Sequence, residues 1–141
     1  MTTASATSER IKVLIAVVGL DQHEVGSMVV SRILSQAGME VVYLGRFNTP
    51  ATVTTAAIAE DADVVGVSCH SWEYLEFAED LVARLGAHHI PVVFGGSVIT
   101  PDDGRGLVDL GAAAVFGSSS SSDEIVDGIR ECVDRSRERS S

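Results

Sequence analysis

The sequence predicts one doubly wound α/β domain built on a five-stranded parallel sheet. Short apolar runs alternate five times with stretches of helical periodicity, the pattern of repeated βα units rather than of an all-β fold or a repeat array. Hydrophobic residues make up 45% of the chain, as suits a sheet buried on both faces. A length of 141 residues is enough for one core and too short for two ordinary domains.

The first ten residues are small and polar and read as a flexible lead; the domain spans 11–135, and 136–141 form a flexible tail. The first strand, 12–18, is a run of aliphatic residues. The run Asp21-Gln22-His23-Glu24-Val25-Gly26 interrupts it and opens onto a helix at 25–37, which Gly38 stops. A second strand, 40–44, is followed by a helix at 50–60, where Pro50 behind Asn48 and Thr49 marks the start. The third strand, 64–68, leads to a helix at 72–85, and the fourth, 91–94, to a helix at 102–110. After the fifth strand, 113–116, Ile125, Ile129 and Val133 recur at helical spacing and predict a closing helix at 123–137.

Right-handed crossovers with strand order 2-1-3-4-5 set the first and third strands side by side at a switch point, where open parallel sheets bind ligands. The carboxyl-end segments 19–26, 45–49, 68–72, 95–100 and 117–122 then converge on one rim, and four of them are rich in Gly, Ser or His. The opposite rim carries ordinary connections such as His88-His89-Ile90-Pro91, and no ligand role is expected for either histidine. The serines at 118–122 read as a linker by composition. The amphipathic helix that follows them favours a loop facing the crevice.

Twenty acidic against ten basic side chains give a net charge of −10, and the one lysine is Lys12, so no nucleic-acid surface is expected. No apolar run approaches the roughly 20 residues that cross a bilayer, and the leader has no signal-peptide core. A soluble, cytoplasmic protein with no membrane contact is the expectation. Cys69 and Cys132 lie far apart without a C-x-x-C motif and are expected as free thiols.

An imidazole at His23, above the end of the sheet, is placed to hold a metal, and Asp21 two residues earlier is placed to accept from its other ring nitrogen. Taken alone, the same D-x-H reads as a helix cap beside an exposed loop histidine. A phospho-receiver would want an acidic acceptor where Ser68 stands and a lysine near the last strand. A flavodoxin would want a Ser/Thr-rich phosphate loop where Gly19-Leu20-Asp21-Gln22-His23 stands. Neither pattern is present.

Together, Asp21-x-His23-x-x-Gly26, then Ser68, then Gly95-Gly96 resemble the cobalamin-binding domain of adenosylcobalamin-dependent mutases. The resemblance runs from Ile11 to about Ile129 and takes in Asn48-Thr49-Pro50 and Val115-Phe116-Gly117, segments most similar to the methylmalonyl-CoA mutase branch. It agrees with a flavodoxin-like sheet. It implies adenosylcobalamin bound base-off, with His23 as the lower cobalt ligand and Asp21 hydrogen-bonded behind it. The displaced nucleotide tail then needs a slot where backbone comes close, which Gly26, Gly95, Gly96 and Gly117 suit by lacking Cβ. Ser68 is implied beside the benzimidazole, with Ser118, Ser119 and Ser120 at ribose or phosphate. His70 stands where the family usually has leucine; it brings a second imidazole to the site or simply begins a helix. The last loop, Gly117 followed by serines, replaces the family's Gly-Pro-Gly-Thr, and Gln22 and Glu24 depart from the Gly-His-Asp-Arg setting.

The resemblance further implies half of an isomerase: a small subunit that carries the cofactor and joins, in a heteromeric complex, a large subunit whose (β/α)8 barrel of about 250 residues holds the substrate. No catalytic residue is assigned to this chain. A branched or hydroxylated acyl-CoA is the first choice of substrate. The glutamate mutase small subunit is the nearest alternative, and a stand-alone cobalamin carrier or sensor is another. A corrinoid methyl carrier is disfavoured, because such proteins usually bear a helical cap upstream and only eleven residues precede the first strand.

Overall fold

The first strand, β1 (Lys12–Val18), buries side chains on both of its faces, with Val13, Leu14, Ala16 and Val17 fully enclosed. A strand of this kind belongs at the centre of a sheet covered on both sides. The computed structural model, which describes residues 10–18, 25–69, 72, 74–117 and 119–140, places β1 between β2 (Glu40–Asn48) and β3 (Val64–Ser68). With β4 (Val92–Gly95) and β5 (Ala114–Phe116) the parallel sheet runs β2-β1-β3-β4-β5, the order the sequence predicts.

The helices are α1 (Val25–Gln36), α2 (Pro50–Ala59), α3 (Tyr74–Gly86), α4 (Pro101–Leu110) and α5 (Ser122–Ser140). Successive strand residues point to opposite faces, so two cores form. Leu14, Ala16, Val65, Val67 and Phe94 pack with Val53, Leu81 and Leu107 of α2, α3 and α4. Val13, Ile15, Val64 and Val93 face Leu34 of α1 and Ile129, Cys132 and Val133 of α5. Both cysteines are buried free thiols.

Local chemistry sets the helix ends. At α2, Thr49 and Thr52 form a reciprocal capping box and Pro50 takes the first turn. At α4, Thr100 accepts from the Asp103 amide and Gly111 closes the helix at φ 116°.

Two boundaries differ from the sequence reading by more than two residues. The loop expected at 45–49 is mostly strand, because β2 continues to Asn48. Between the pairs Ile15↔Tyr43 and Val18↔Asn48, β1 advances three residues while β2 advances five (18 − 15 against 48 − 43). The two extra residues are absorbed by bulges in which Gly45 and Phe47 take positive φ, 84° and 65°. The Asn48 side-chain amide donates to the carbonyls of Val17 at 3.1 Å and Gly45 at 2.8 Å, which fastens the bulged segment to β1. The last helix also passes its predicted end at 137. Its C-terminal turns are held by Ser136, which donates to the His89 carbonyl, and by Arg137, which pairs with Asp63.

Tyr74, at the start of α3, is a strained point in the first core. Its hydroxyl is buried and makes no hydrogen bond of acceptable geometry among the described residues. Burial, then the negative charge of Asp103, pushes its pKa up to about 12. An unpaired buried hydroxyl costs about 1–3 kcal/mol, so Tyr74→Phe is expected to match or exceed the wild-type stability by up to about 1 kcal/mol in urea denaturation. The folded state favours the neutral phenol. Its contribution is therefore complete below the ordinary tyrosine pKa of about 10 and is lost as pH rises through about 12. The stability of wild type should fall across that window more steeply than that of Tyr74→Phe.

Candidate functional site

On β3 the face turned toward α1 and α5 lacks a side chain at Gly66, which pairs with Ile15 of β1 and with Val93 of β4. A Cβ built at Gly66 would lie 2.9 Å from Ile15 Cδ1, closer than packed carbons approach. Glycine therefore leaves a bare strip of sheet, and a glycine inside a strand commonly marks such a close approach. Above the strip opens a slot of about 270 Å³. Ser27 and Val30 of α1 form one wall, and Ile125 and Ile129 of α5 the other. Ser68, Gly95 and Phe116, at the carboxyl ends of β3, β4 and β5, complete it.

Of the residues singled out in the sequence, Gly26, Ser68, Gly95, Gly96 and Gly117 meet around this one slot. Ser119 instead lines a shallow hollow with Thr100 and Arg105 beside α4, and Ser120 takes its place in the slot. Asp21, His23, His70 and Ser118 lie outside the described residues. The connectivity puts residues 19–24 directly after β1 and before α1.

The paired glycines have different reasons. At Gly95 a Cβ would make only ordinary contacts, at 3.5 Å and 3.7 Å to Phe116, so the fold itself does not require glycine there. At Gly96, with φ 149°, a Cβ would fall 1.7 Å from the Cys69 carbonyl oxygen. The absent side chain at Gly96 thus serves the protein's own backbone. The Cys69 amide donates to Gly95 O at 2.7 Å, and the Gly96 amide to Phe116 O at 3.2 Å, tying together the chain leaving β3, β4 and β5.

The serine segment is an organised helix entry. Ser121 Oγ accepts from the Glu124 amide at 3.1 Å, while the Glu124 carboxylate accepts from the Ser121 amide at 2.8 Å. Those bonds from Ser121 hold the Glu124 carboxyl below its ordinary pKa. The turn closed by the Ser120 amide on Gly117 O at 3.1 Å leaves Ser120 at the slot. On the other wall Ser27, 1% exposed, shares a 3.1 Å hydrogen bond with the Tyr43 hydroxyl, which links the start of α1 to edge strand β2.

Sequence reasoning named Ser120 among the serines implied at ribose or phosphate, but it did not single out Gly66 or Ser27 and gave Phe116 no role at the site. The signal for Gly66 was present as a lone glycine in Val64-Val65-Gly66-Val67. The opposite rim carries a wider hollow of about 640 Å³ that includes His88 and His89. Two bonds there tie α5 to the connections before β3 and β4: Arg137 pairs with Asp63, and Ser136 donates to the His89 carbonyl.

Tested against a base-bearing nucleotide tail, the slot fits. An apolar cavity of about 150 Å³ accepts a benzene ring, and this one, at about 270 Å³, has room for two fused rings with hydroxyls at its edge. A parallel sheet in this order, with one apolar slot at its carboxyl rim, defines a small-molecule-binding α/β domain. The chain belongs to the B12 binding domain family, whose model matches residues 11–127.

The chain is 40% identical over 126 residues to the 2-hydroxyisobutanoyl-CoA mutase small subunit of Aquincola tertiaricarbonis, covering 87% of this chain and 92% of that one. It is 33% identical over 134 residues to the pivalyl-CoA mutase small subunit of Xanthobacter autotrophicus, covering 94% and 90%. Among solved structures, a cobalamin-binding protein from Desulfitobacterium hafniense DCB-2 superposes with a TM-score of 0.73 at 21% identity, over 87% of this chain and 59% of that one. The receiver domain of the response regulator NarL from Mycobacterium tuberculosis reaches 0.67 at 20% identity, over 89% and 97%. Both show the shared fold alone. No helix among the described residues is long and apolar enough to cross a membrane.

Proposed function

We propose that this chain is the cobalamin-carrying small subunit of an adenosylcobalamin-dependent mutase that rearranges the carbon skeleton of a branched or hydroxylated acyl-CoA in the cytoplasm. The observation that carries the reading is the 40% identity to an acyl-CoA mutase small subunit over 92% of that subunit's length. The glutamate mutase alternative stands second, since the relatives above are named for acyl-CoA substrates.

His23 would ligate cobalt, and Asp21 would accept from the other ring nitrogen, fixing the tautomer and raising ligand basicity. The slot between α1 and α5 would take the nucleotide tail, with Ser68 and Ser120 offering hydroxyls and Gly66 clearing the floor. Adenosylcobalamin, when bound, supplies a cobalt–carbon bond whose homolysis starts radical chemistry. This chain's residues orient the group and shield its tail from water, whereas substrate contacts belong to a large barrel subunit.

The test is titration with adenosylcobalamin and hydroxocobalamin, read by absorption and by nitrogen hyperfine coupling to cobalt. Trp72, the one tryptophan and 56% exposed in the turn before α3, gives an independent signal. Its emission should be quenched on binding at this rim. Unquenched emission with tight binding would place the corrin elsewhere.

A further inference from the structure

Gly128 stands inside α5, where glycine weakens a helix relative to alanine. It has a reason to be there. A Cβ at this position would lie 2.6 Å and 2.7 Å from Cζ and Cε1 of Phe116. The end of the Phe116 ring therefore rests against the α5 backbone at the one point where that helix carries no side chain. Phe116 lines the slot, together with Ile125 and Ile129 of the same helix, whereas Gly128 does not. Any side chain at position 128 must push the ring off the helix. The slot is the space the ring shares with Ile125 and Ile129, so a displaced ring narrows it.

We infer that Gly128, acting through Phe116, sets the width of the slot and so selects corrinoids by the size of the base that ends their nucleotide tail. This rests on the reading of the slot as the tail site. Gly128 is a positioning residue that touches no ligand; Phe116 is the wall it positions. The selection is by shape, because the neighbouring walls are the aliphatic chains of Ile15, Val30, Ile125 and Ile129. In apolar pockets one methylene more or less changes recognition by about 10–200-fold. The two ring methyls of the dimethylbenzimidazole base are differences of that order.

The experiment titrates wild type, Gly128→Ala, Phe116→Ala and the double variant Phe116→Ala/Gly128→Ala with three corrinoids: cobalamin, benzimidazolylcobamide, whose base lacks the ring methyls, and cobinamide, which has no base. Circular dichroism confirms folding. Gly128→Ala is expected to bind cobalamin about tenfold or more weakly, benzimidazolylcobamide with a smaller loss, and cobinamide as wild type does. Removing the ring in the double variant should abolish this effect, leaving it no weaker than Phe116→Ala alone. Unchanged cobalamin affinity in a folded Gly128→Ala, or an equal loss on all three corrinoids, overturns the inference. Should Gly128→Ala fail to fold, Phe116→Leu trims the ring without touching α5 and should change the cobalamin to benzimidazolylcobamide affinity ratio; an unchanged ratio overturns it. Wild type binding cobalamin no better than cobinamide would instead remove the tail-site reading on which it rests.

Discussion

Replacing His23 with alanine should remove the protein nitrogen from cobalt and weaken cobalamin binding by more than a hundredfold. Loss of a partner one step behind a metal ligand typically costs about 10–100-fold, and the ligand itself should cost more. Asp21→Asn is expected in that lower range, since an amide oxygen would still accept from the imidazole but would lack the charge that raises its basicity. Nitrogen hyperfine structure on cobalt in wild type, absent in His23→Ala and altered in Asp21→Asn, is the expected set of spectra. The slot would still accept the tail in either variant, so binding should weaken without vanishing and the urea midpoint should stay the same. Hyperfine coupling that survives His23→Ala would show that another residue ligates cobalt.

Gly96→Ala should be the most damaging single-methyl change described here. The added carbon would sit 1.7 Å from a backbone oxygen, that of Cys69, and on a φ of 149°. No side-chain rotation relieves a clash with backbone. The chain leaving β3 and the chain leaving β4 must separate, which strains the 2.7 Å bond from the Cys69 amide to Gly95 O. Losses above about 4 kcal/mol arise from a short list of causes that includes such backbone strain, and domains hold only about 5–15 kcal/mol in total. The urea midpoint should fall sharply with little change in slope. Gly95→Ala is the control. Its Cβ meets ordinary contacts, so stability should change by less than about 1 kcal/mol, as for substitutions away from strained or tightly packed positions. Similar destabilisation in the two variants would contradict the separate roles assigned to these glycines.

The sheet was legible because its signal is redundant: five apolar runs, helical periodicity between them and turn residues at the joins all demand the same architecture. The end of β2 was not. Gly45-Arg46-Phe47-Asn48 reads locally as a turn, yet it stays in the sheet through the pairs Ala16↔Gly45 and Val18↔Asn48 and through the side-chain amide of Asn48 reaching the Val17 carbonyl. Such a bond joins residues distant in sequence and leaves no periodic trace. The site was legible as a rim and less so as a cavity. Gly26, Ser68 and Gly95 came from the resemblance to the cobalamin-binding domain, and all three line the slot. Gly66 and Gly128 owe their importance to what faces them, Ile15 and Phe116, and packing partners of that kind are visible only in three dimensions. The serine segment shows the same limit: Ser121 caps a helix while Ser120 faces the slot, although composition treats them alike.

The walls of the slot come from elements far apart in the sequence, α1 and α5, and away from it the Arg130 guanidinium of α5 donates to the carbonyl of Ala37, just after α1, at 3.0 Å. During synthesis the sheet is complete once β5 has emerged, but the pocket has only one wall until the final helix docks. The slot is therefore complete only after α5 has docked. A ligand in the slot acts as a clasp between the first helix and the last: at a hundredfold excess over its dissociation constant it adds about 2.7 kcal/mol to the folded state. That protection would extend to α5 itself, whose amide hydrogens should exchange more slowly when the slot is filled than when it is empty.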